Sequence, residues 1–540
     1  MNSIHSPTAT ALSLGLKAST RRPLSESSVE RMMQSFFIVP PLLWIMLAAV
    51  AARAWLLFGT PYVTGVNGAY YLIQARAILE RGVLGIPDLP LTFYLQAVLA
   101  WLLAQTGNMA IEDAIMLAVK SCDTVLPVLV AWPTFVLVRR WSSARSQGDA
   151  VPLAAAALAC LSLPWFMVVG ELQKNSLAMV WFAMLMVNIH GWLLRPTQKR
   201  AIALVVALPL LGLTHIGVLG ASLVLTALTL LTYLCSQRQR VRWKLSLAWL
   251  GTGVLILIAT SAFVAWKFDA SRIHRLGLAF TDPSQFSWDG RQMPGQPSSR
   301  LSLDSCIPFF GFALAVVPAM IIAWRKRLQL KAADFAVVTG CALTVLMLTG
   351  PWFSPDKSMR FYLIAFLPAI WVVSFALIHI ERNGSRQAVL SVILLIGLGS
   401  SAWILIPGGK PVLEDATMME LKNLSEHIQD PAHTLVVADH GVEWWSAWFL
   451  RIHIAQPQAL SPEIWQRYQN VLMLKVKSGV VSLPGRGGPR PGADQRPPPH
   501  QHLWMPEKSS DAELLHDGAT LRLEKIEHPP KFSSVHILPP

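Results

Sequence analysis

Apolar runs of membrane-spanning length recur along this chain, and they constrain its fold more than any other feature. They fall at residues 36–58, 114–138, 151–169, 176–194, 201–213, 216–234, 245–266, 305–324, 333–350, 361–380 and 388–407. Crossing the hydrocarbon core takes roughly 20 predominantly apolar residues per helix. In lipid, backbone polar groups must bond within the segment, so runs of this kind fold as helices. The run at 201–213 is short and gains length by continuing toward His215 or by pairing with its successor. The pattern predicts an α-helical polytopic membrane protein with about 11 transmembrane helices. Composition agrees. Of 540 residues, 53% are hydrophobic and 14% charged, whereas a soluble chain carries roughly 25% charge. This excludes an ordinary soluble enzyme, a disordered chain and a secreted disulfide scaffold. Cys122, Cys160, Cys235, Cys306 and Cys341 lie in or beside apolar runs, without metal-ligand spacing.

The net charge of +14 would point to nucleic acid in a soluble protein. Here nucleic acid is not an expected partner, because the basic residues crowd into short loops. With the N-terminus inside, the inner segments hold 20 Lys and Arg in 74 residues, against 10 in 113 for the outer ones. That bias is the positive-inside rule. It predicts a multi-pass protein of the cell (inner) membrane, with a disordered cytoplasmic start at 1–35 and a membrane domain at 36–407. The loop 59–113 then lies outside, with interfacial helices at 68–81 and 91–105 and an Arg76–Glu80 pair on the first. The tail, 408–540, is expected as a small α/β extracytoplasmic domain. Its elements are a helix at 413–428, a strand at 434–439, a Trp-rich helix at 441–451 and a strand pair around an Asp-Gly turn at 511–526. The Pro/Gly/Arg-rich segment within 482–510 is expected to be disordered.

Polar groups at membrane depth are costly and usually face a protein cavity. Several collect at the expected outer ends of spans: Asn67 and Asp88, Lys120 and Asp123, Glu171 and Lys174, His215, and Asp356, Lys357 and Arg360. Lys120 and Asp123 share a helix face, either as a self-neutralising pair or with Lys120 offered to an anionic headgroup. In GELQKN (170–175), Glu171 can take a proton from an acceptor hydroxyl and Lys174 can meet a phosphate as a point charge. His215 is either a phosphate donor or a partner of its own turn. Arg360 suits bidentate phosphate binding. In DHGVEWWSAWFL (439–450), the indoles either stack on a sugar ring or anchor the tail at the membrane surface, and the anchor is favoured.

NGAYYLIQARAILERG (67–82), PDLPLTFYLQAVLAWLL (87–103), Lys120 at the start of the second span and DKSMRFYLIAFLPAI (356–370) together resemble segments of the GT-C membrane glycosyltransferases. That superfamily includes protein O-mannosyltransferases and lipid A aminoarabinose transferases. The resemblance covers roughly 36–407. It implies transfer of a sugar from a polyprenyl-phosphate carrier, within the lipid bilayer, to a glycan, lipid or protein acceptor. It implies Glu171 or Asp88 as the catalytic carboxylate. Asn67, Lys120, Lys174, His215, Lys357 and Arg360 are implied to bind substrate. Asn67 stands where the family has its first-loop acid, Gly68 where it has a neighbouring Glu, and Asp88 where it has a Lys. These departures leave a second expectation open, a catalytically inactive GT-C-like protein that binds lipid-linked sugar or an assembly partner. No cofactor is certain; a divalent cation is the one the resemblance allows.

Overall fold

Among the described residues, the apolar runs fold as helices. The computed structural model describes residues 26–106, 109–145, 148–236, 303–350, 355–456, 462–477 and 512–526, with a few isolated positions. In chain order the helices are α1 (Glu26–Phe58), α2 (Gly68–Arg81), α3 (Leu91–Thr106), α4 (Ile111–Val125) and α5 (Ala131–Ser143). Then come α6 (Ala150–Leu161), α7 (Gln173–Leu194), α8 (Gln198–Thr214), α9 (Ile216–Ser236), α10 (Leu303–Arg325), α11 (Ala332–Thr349), α12 (Pro355–Ile378) and α13 (Asn383–Gly399). Among the described residues, eight helices are long and apolar enough to cross a membrane, one of them the continuous rod Ile111–Ser143. The runs at 151–169 and 201–213 give shorter helices, α6 and α8. The run at 245–266 and the segment 482–510 lie outside the described residues. Helix α1 includes residues 26–35.

The loop 59–113 carries α2 and α3 where the sequence expects them. Arg76, however, does not pair with Glu80. Its guanidinium donates to the carbonyls of Ala447 (2.8 Å) and Trp448 (2.7 Å) and lies over the Trp448 ring. The buried carbonyls at the end of a tail helix are stronger claimants than an exposed carboxylate.

The tail contains α14 (Asp415–Asn423) and α15 (Val442–Leu450) and a five-stranded sheet. The strands are β1 (Thr434–Ala438), β2 (His453–Ala455), β3 (Asn470–Val476), β4 (Ala512–Asp517) and β5 (Leu521–Ile526), in the order β2-β1-β3-β5-β4. β1 runs parallel to β2 and β3, and β5 is antiparallel to β3 and β4. The Asp517–Gly518 turn closes the β4–β5 pair, as its sequence signals.

Tail and loop share one apolar core. Met418, Leu421, Val436, Trp445 and Leu472 from the tail are buried in one cluster with Ala69, Tyr71, Leu72, Phe93 and Val119. The Trp-rich helix is therefore not a membrane-surface anchor. Trp445 is fully buried, with its ring edge-on to Tyr62 at 5.4 Å. The same amphipathic indoles that suit a bilayer interface suit a wall of apolar helices, and the loop supplies that wall.

Glu420 on α14 ties the sheet to the tail helices. Its carboxylate accepts from the Thr520 amide (2.9 Å) and hydroxyl (2.7 Å), the Leu521 amide (3.0 Å) and His516 Nε2 (3.0 Å). Burial opposes its charge, but these donors outweigh burial and hold its pKa below the ordinary glutamate value. The unfolded chain then binds the extra proton. The stabilisation is complete above the unfolded pKa and fades as pH falls through the folded one. Glu420→Gln is expected to speed amide exchange in β4 and β5 about tenfold at neutral pH, and the difference from wild type is expected to close in acid. Hydrogen exchange on the full chain checks both; an equal gap at every pH would refute the charge-based account.

Candidate active site

The site is built on one buried ion pair. Arg53 of α1 and Asp123 of α4 are both fully buried and meet at 2.7 Å. Arg53 also donates to the backbone carbonyls of Asp123 (2.7 Å) and Trp165 (3.2 Å). The second carboxylate oxygen of Asp123 accepts the Gly170 amide at 2.7 Å. Asp123 is thus not the partner of Lys120. That ammonium instead donates to the carbonyls of Thr60 (2.6 Å) and Pro61 (3.0 Å) at the start of the first loop. A guanidinium has a fork of donors for one carboxylate and two carbonyls together, which a lysine three residues away cannot match.

Holding Gly170 places Glu171. Gly170 and Gly65 both have left-handed backbone, at φ +73° and +87°. Their strands of loop lie backbone to backbone: a Cβ on Gly65 would stand 2.8 Å from the Glu171 nitrogen, and one on Gly170 would collide with Thr64. Two glycines are what this approach requires. The result brings Glu171 to the start of α2. Its carboxylate accepts the Asn67 backbone amide at 2.9 Å and a second bond from the Asn67 side-chain amide. The positive end of the α2 dipole favours the anion there. Asn67 and Glu171, singled out separately in the sequence, form one unit.

Asp88 and Lys174 form the other. Lys174 lies near the N-terminus of α7, one turn beyond Glu171 in the chain. Its ammonium bonds the buried Asp88 carboxylate, which also accepts from the Tyr70 hydroxyl and, at 2.6 Å, from the Leu89 amide. The rings of Tyr70 and Phe93 lie 5.7 and 5.4 Å from the ammonium. Gln74 donates to the Tyr70 oxygen at 3.0 Å and clasps Gly85 and Ile86, fixing the loop that carries Asp88. Burial raises the Tyr71 phenol far above its ordinary pKa, so Tyr71 stays protonated beside this pair. Nearby, Gln96 donates to Gln173 at 2.6 Å, while the Gln96 carbonyl oxygen, the Thr92 hydroxyl and the Asn175 amide nitrogen are buried without a protein partner.

The remaining candidates go elsewhere. His215 separates α8 from α9, and its Nδ1 accepts the Val218 amide at 3.2 Å, the local role its turn allowed. Arg360 is exposed near the start of α12. The Lys357 side chain lies outside the described residues. The donors do not fit a divalent cation. An amide occupies the place of the first acid, Asp88 is taken by Lys174 and Tyr70, and among the described residues no three of His, Cys, Asp and Glu converge.

Arg53, Tyr70, Gln74, Gln96 and Gln173 are the residues that the sequence did not single out. Arg53 had a visible signal, a lone guanidinium inside an apolar run. Tyr70, Gln74 and Gln96 lie on loop helices and Gln173 at the first position of α7, where a polar side chain is unremarkable.

The arrangement of helices and tail has solved counterparts. The Archaeoglobus fulgidus oligosaccharyltransferase, in its apo form, matches with a TM-score of 0.54 at 12% identity, covering 81% of this chain and 69% of that one. ArnT from Cupriavidus metallidurans, bound to undecaprenyl phosphate, matches with a TM-score of 0.52 at 14% identity, covering 90% and 97%. The fold is GT-C. No family model and no curated protein matches the sequence. In this chain the loop 59–113 and the tail pack as one apolar cluster beside a multi-pass helical membrane domain.

Asp123→Ala is expected to cost about 3–5 kcal/mol of stability, because it leaves Arg53 buried and unpaired. Arg53→Met combined with Asp123→Leu is expected to recover most of that loss. Thermal unfolding of the purified protein in detergent measures both. A single variant as stable as wild type would show that the pair does not organise the bundle.

Proposed function

We propose that the protein is an inverting membrane glycosyltransferase. It would move a sugar from a polyprenyl-phosphate carrier to an acceptor on the extracytoplasmic face of the cell membrane, with its N-terminus inside. The observation that carries this is the separate anchoring of an acid and a base at one loop junction: Glu171 on Asn67, and Lys174 on Asp88. The fold shared with a structure that holds undecaprenyl phosphate supports the carrier.

The chemistry follows from the two units. Glu171 accepts the proton of the acceptor hydroxyl, and a carboxylate that already accepts two bonds still has lone pairs for a third. The acceptor oxygen bonds to the anomeric carbon from the face opposite the phosphate. The carbon–oxygen bond to phosphate breaks, and its electron pair leaves on the phosphate oxygen. Lys174 meets that developing charge. Asp88 and Tyr70 hold the ammonium in place; Asp88 is thus a positioning residue here and Glu171 the base. Lys120 and His215 serve the loops that frame the site. Lys357 and Arg360 are not needed by this scheme.

Asn67 favours a second possibility, that the chain binds the lipid carrier without turnover, since an amide replaces the first-loop acid. One experiment separates the two. Transfer from labelled lipid-linked sugar is measured in membranes that contain the full chain, beside binding of undecaprenyl phosphate to the purified protein. Glu171→Gln is expected to lower turnover roughly 10²–10⁴-fold while lipid binding persists. Lys174→Met is expected to weaken lipid binding about tenfold or more. Unchanged turnover in Glu171→Gln removes Glu171 as the base. Wild-type protein that binds the lipid and transfers nothing establishes the binding protein.

A further inference from the structure

A second cleft lies where α2 meets the tail, between that helix and α15 with the end of β2. Its volume is about 620 Å³, within the roughly 300–1,000 Å³ of small-molecule sites. Trp444 forms part of the wall, half-buried, and its other neighbour is Tyr70, with ring centroids 4.9 Å apart. Through Tyr70 the cleft therefore borders the Asp88–Lys174 unit.

The polar groups of this wall are sorted unequally. Glu80 faces Arg451 at 3.9 Å, and Arg451 also pairs with Glu112 at 2.5 Å. Glu443 is buried, and its carboxylate accepts from the Gly441 amide, from His440 Nδ1 (2.8 Å) and from Gln456 Nε2 (2.8 Å). Both acids are thus engaged. Arg76 and Arg81, unlike Arg451, face no carboxylate within ion-pair distance among the described residues. Arg76 donates to main-chain carbonyls, which carry no full charge. Arg81 is exposed beside Gly85 and, among the described residues, has no hydrogen bond or ion pair. The Trp444 indole nitrogen is a buried donor without a partner. With its nitrogen given to Glu443, the Gln456 amide keeps its oxygen as an acceptor. The wall thus combines an aromatic ring, unmatched positive charge and an oriented acceptor.

We propose that this cleft binds an acidic sugar unit of a glycan, with the ring against Trp444 and the carboxylate or phosphate at Arg81. Indole presents a large apolar face with a polar edge, which suits a sugar ring. A guanidinium grips a planar anion through paired donors. Gln456, oriented by Glu443, accepts from a sugar hydroxyl. The proposal rests on the glycosyltransferase reading and deepens it by naming the acceptor class: of glycan, lipid and protein, the cleft selects an acidic glycan. It also gives a use to the Trp-rich motif that the membrane does not claim.

Calorimetric titration of the full chain, in nanodiscs of neutral lipid, tests the cleft with trigalacturonate and maltotriose as probes. Trigalacturonate is expected to bind at least about tenfold more tightly than maltotriose. Arg81→Ala, on the exposed face of the cleft, is expected to erase that preference without unfolding the protein. Trp444→Ala is expected to weaken both sugars, and Gln456→Ala to weaken both about fivefold. No binding of either probe, equal binding of the two by wild type, or a preference that survives Arg81→Ala overturns the proposal. The readout is independent of catalysis. Wild-type protein that binds trigalacturonate but transfers no sugar keeps the cleft and removes the enzymatic reading; transfer without trigalacturonate binding does the reverse.

Discussion

A guanidinium and a carboxylate buried in an apolar bundle hold this structure in register. Arg53 and Asp123 come from helices separated by 70 positions, and each is costly in hydrocarbon without the other. Together they also bind Gly170 and Trp165. The pair therefore does more than neutralise charge. It fixes where the turn before α7 lies, and that turn carries Glu171. Net stability from a buried ion pair is small, but the geometry it imposes is specific. The placement of Glu171 on Asn67 is a consequence of that geometry.

The same logic extends outward in layers. Lys120 staples the beginning of the first loop, Asn67 receives Glu171 at its first helix, and Gln74 clasps the segment that presents Asp88. Each contact joins parts of the chain that are distant in sequence. The tail then covers these joints with Trp445, Met418 and Val436 against α2 and α3. Apolar burial supplies the energy of this cover, while Arg76 beneath Trp448 sets its orientation.

Much of the architecture is written locally and so can be read from the sequence. Apolar length marks the spans, the Asp-Gly dipeptide marks the β4–β5 pair, and an apolar run too short to cross a bilayer marks α3. Partner choice is not written locally. Lys120 and Asp123 share a helix face, yet the carboxylate goes to Arg53, because a buried group takes the partner with most donors to offer. Arg76 and Glu80 have ideal spacing, yet main-chain carbonyls of α15 win the guanidinium. The Trp-rich helix carries a pattern that bilayer interfaces and protein interfaces share, so periodicity alone does not decide between them. Asn67, Asp88, Glu171 and Lys174 are visible as polar residues beside spans; only the fold joins them in twos.

The position of Arg53 has a consequence for biosynthesis. The first span emerges from the ribosome well before the second, so Arg53 enters the bilayer while Asp123 is still unsynthesised. A central arginine adds about 2.5–3.5 kcal/mol to insertion. Arg53 lies five residues from the end of α1, within snorkelling reach of the headgroups. The nascent helix can thus rest with its guanidinium at the lipid–water boundary, and the arrival of Asp123 draws it inward. Assembly of the first two spans becomes a charge-neutralising step that favours native association over release of either helix into lipid.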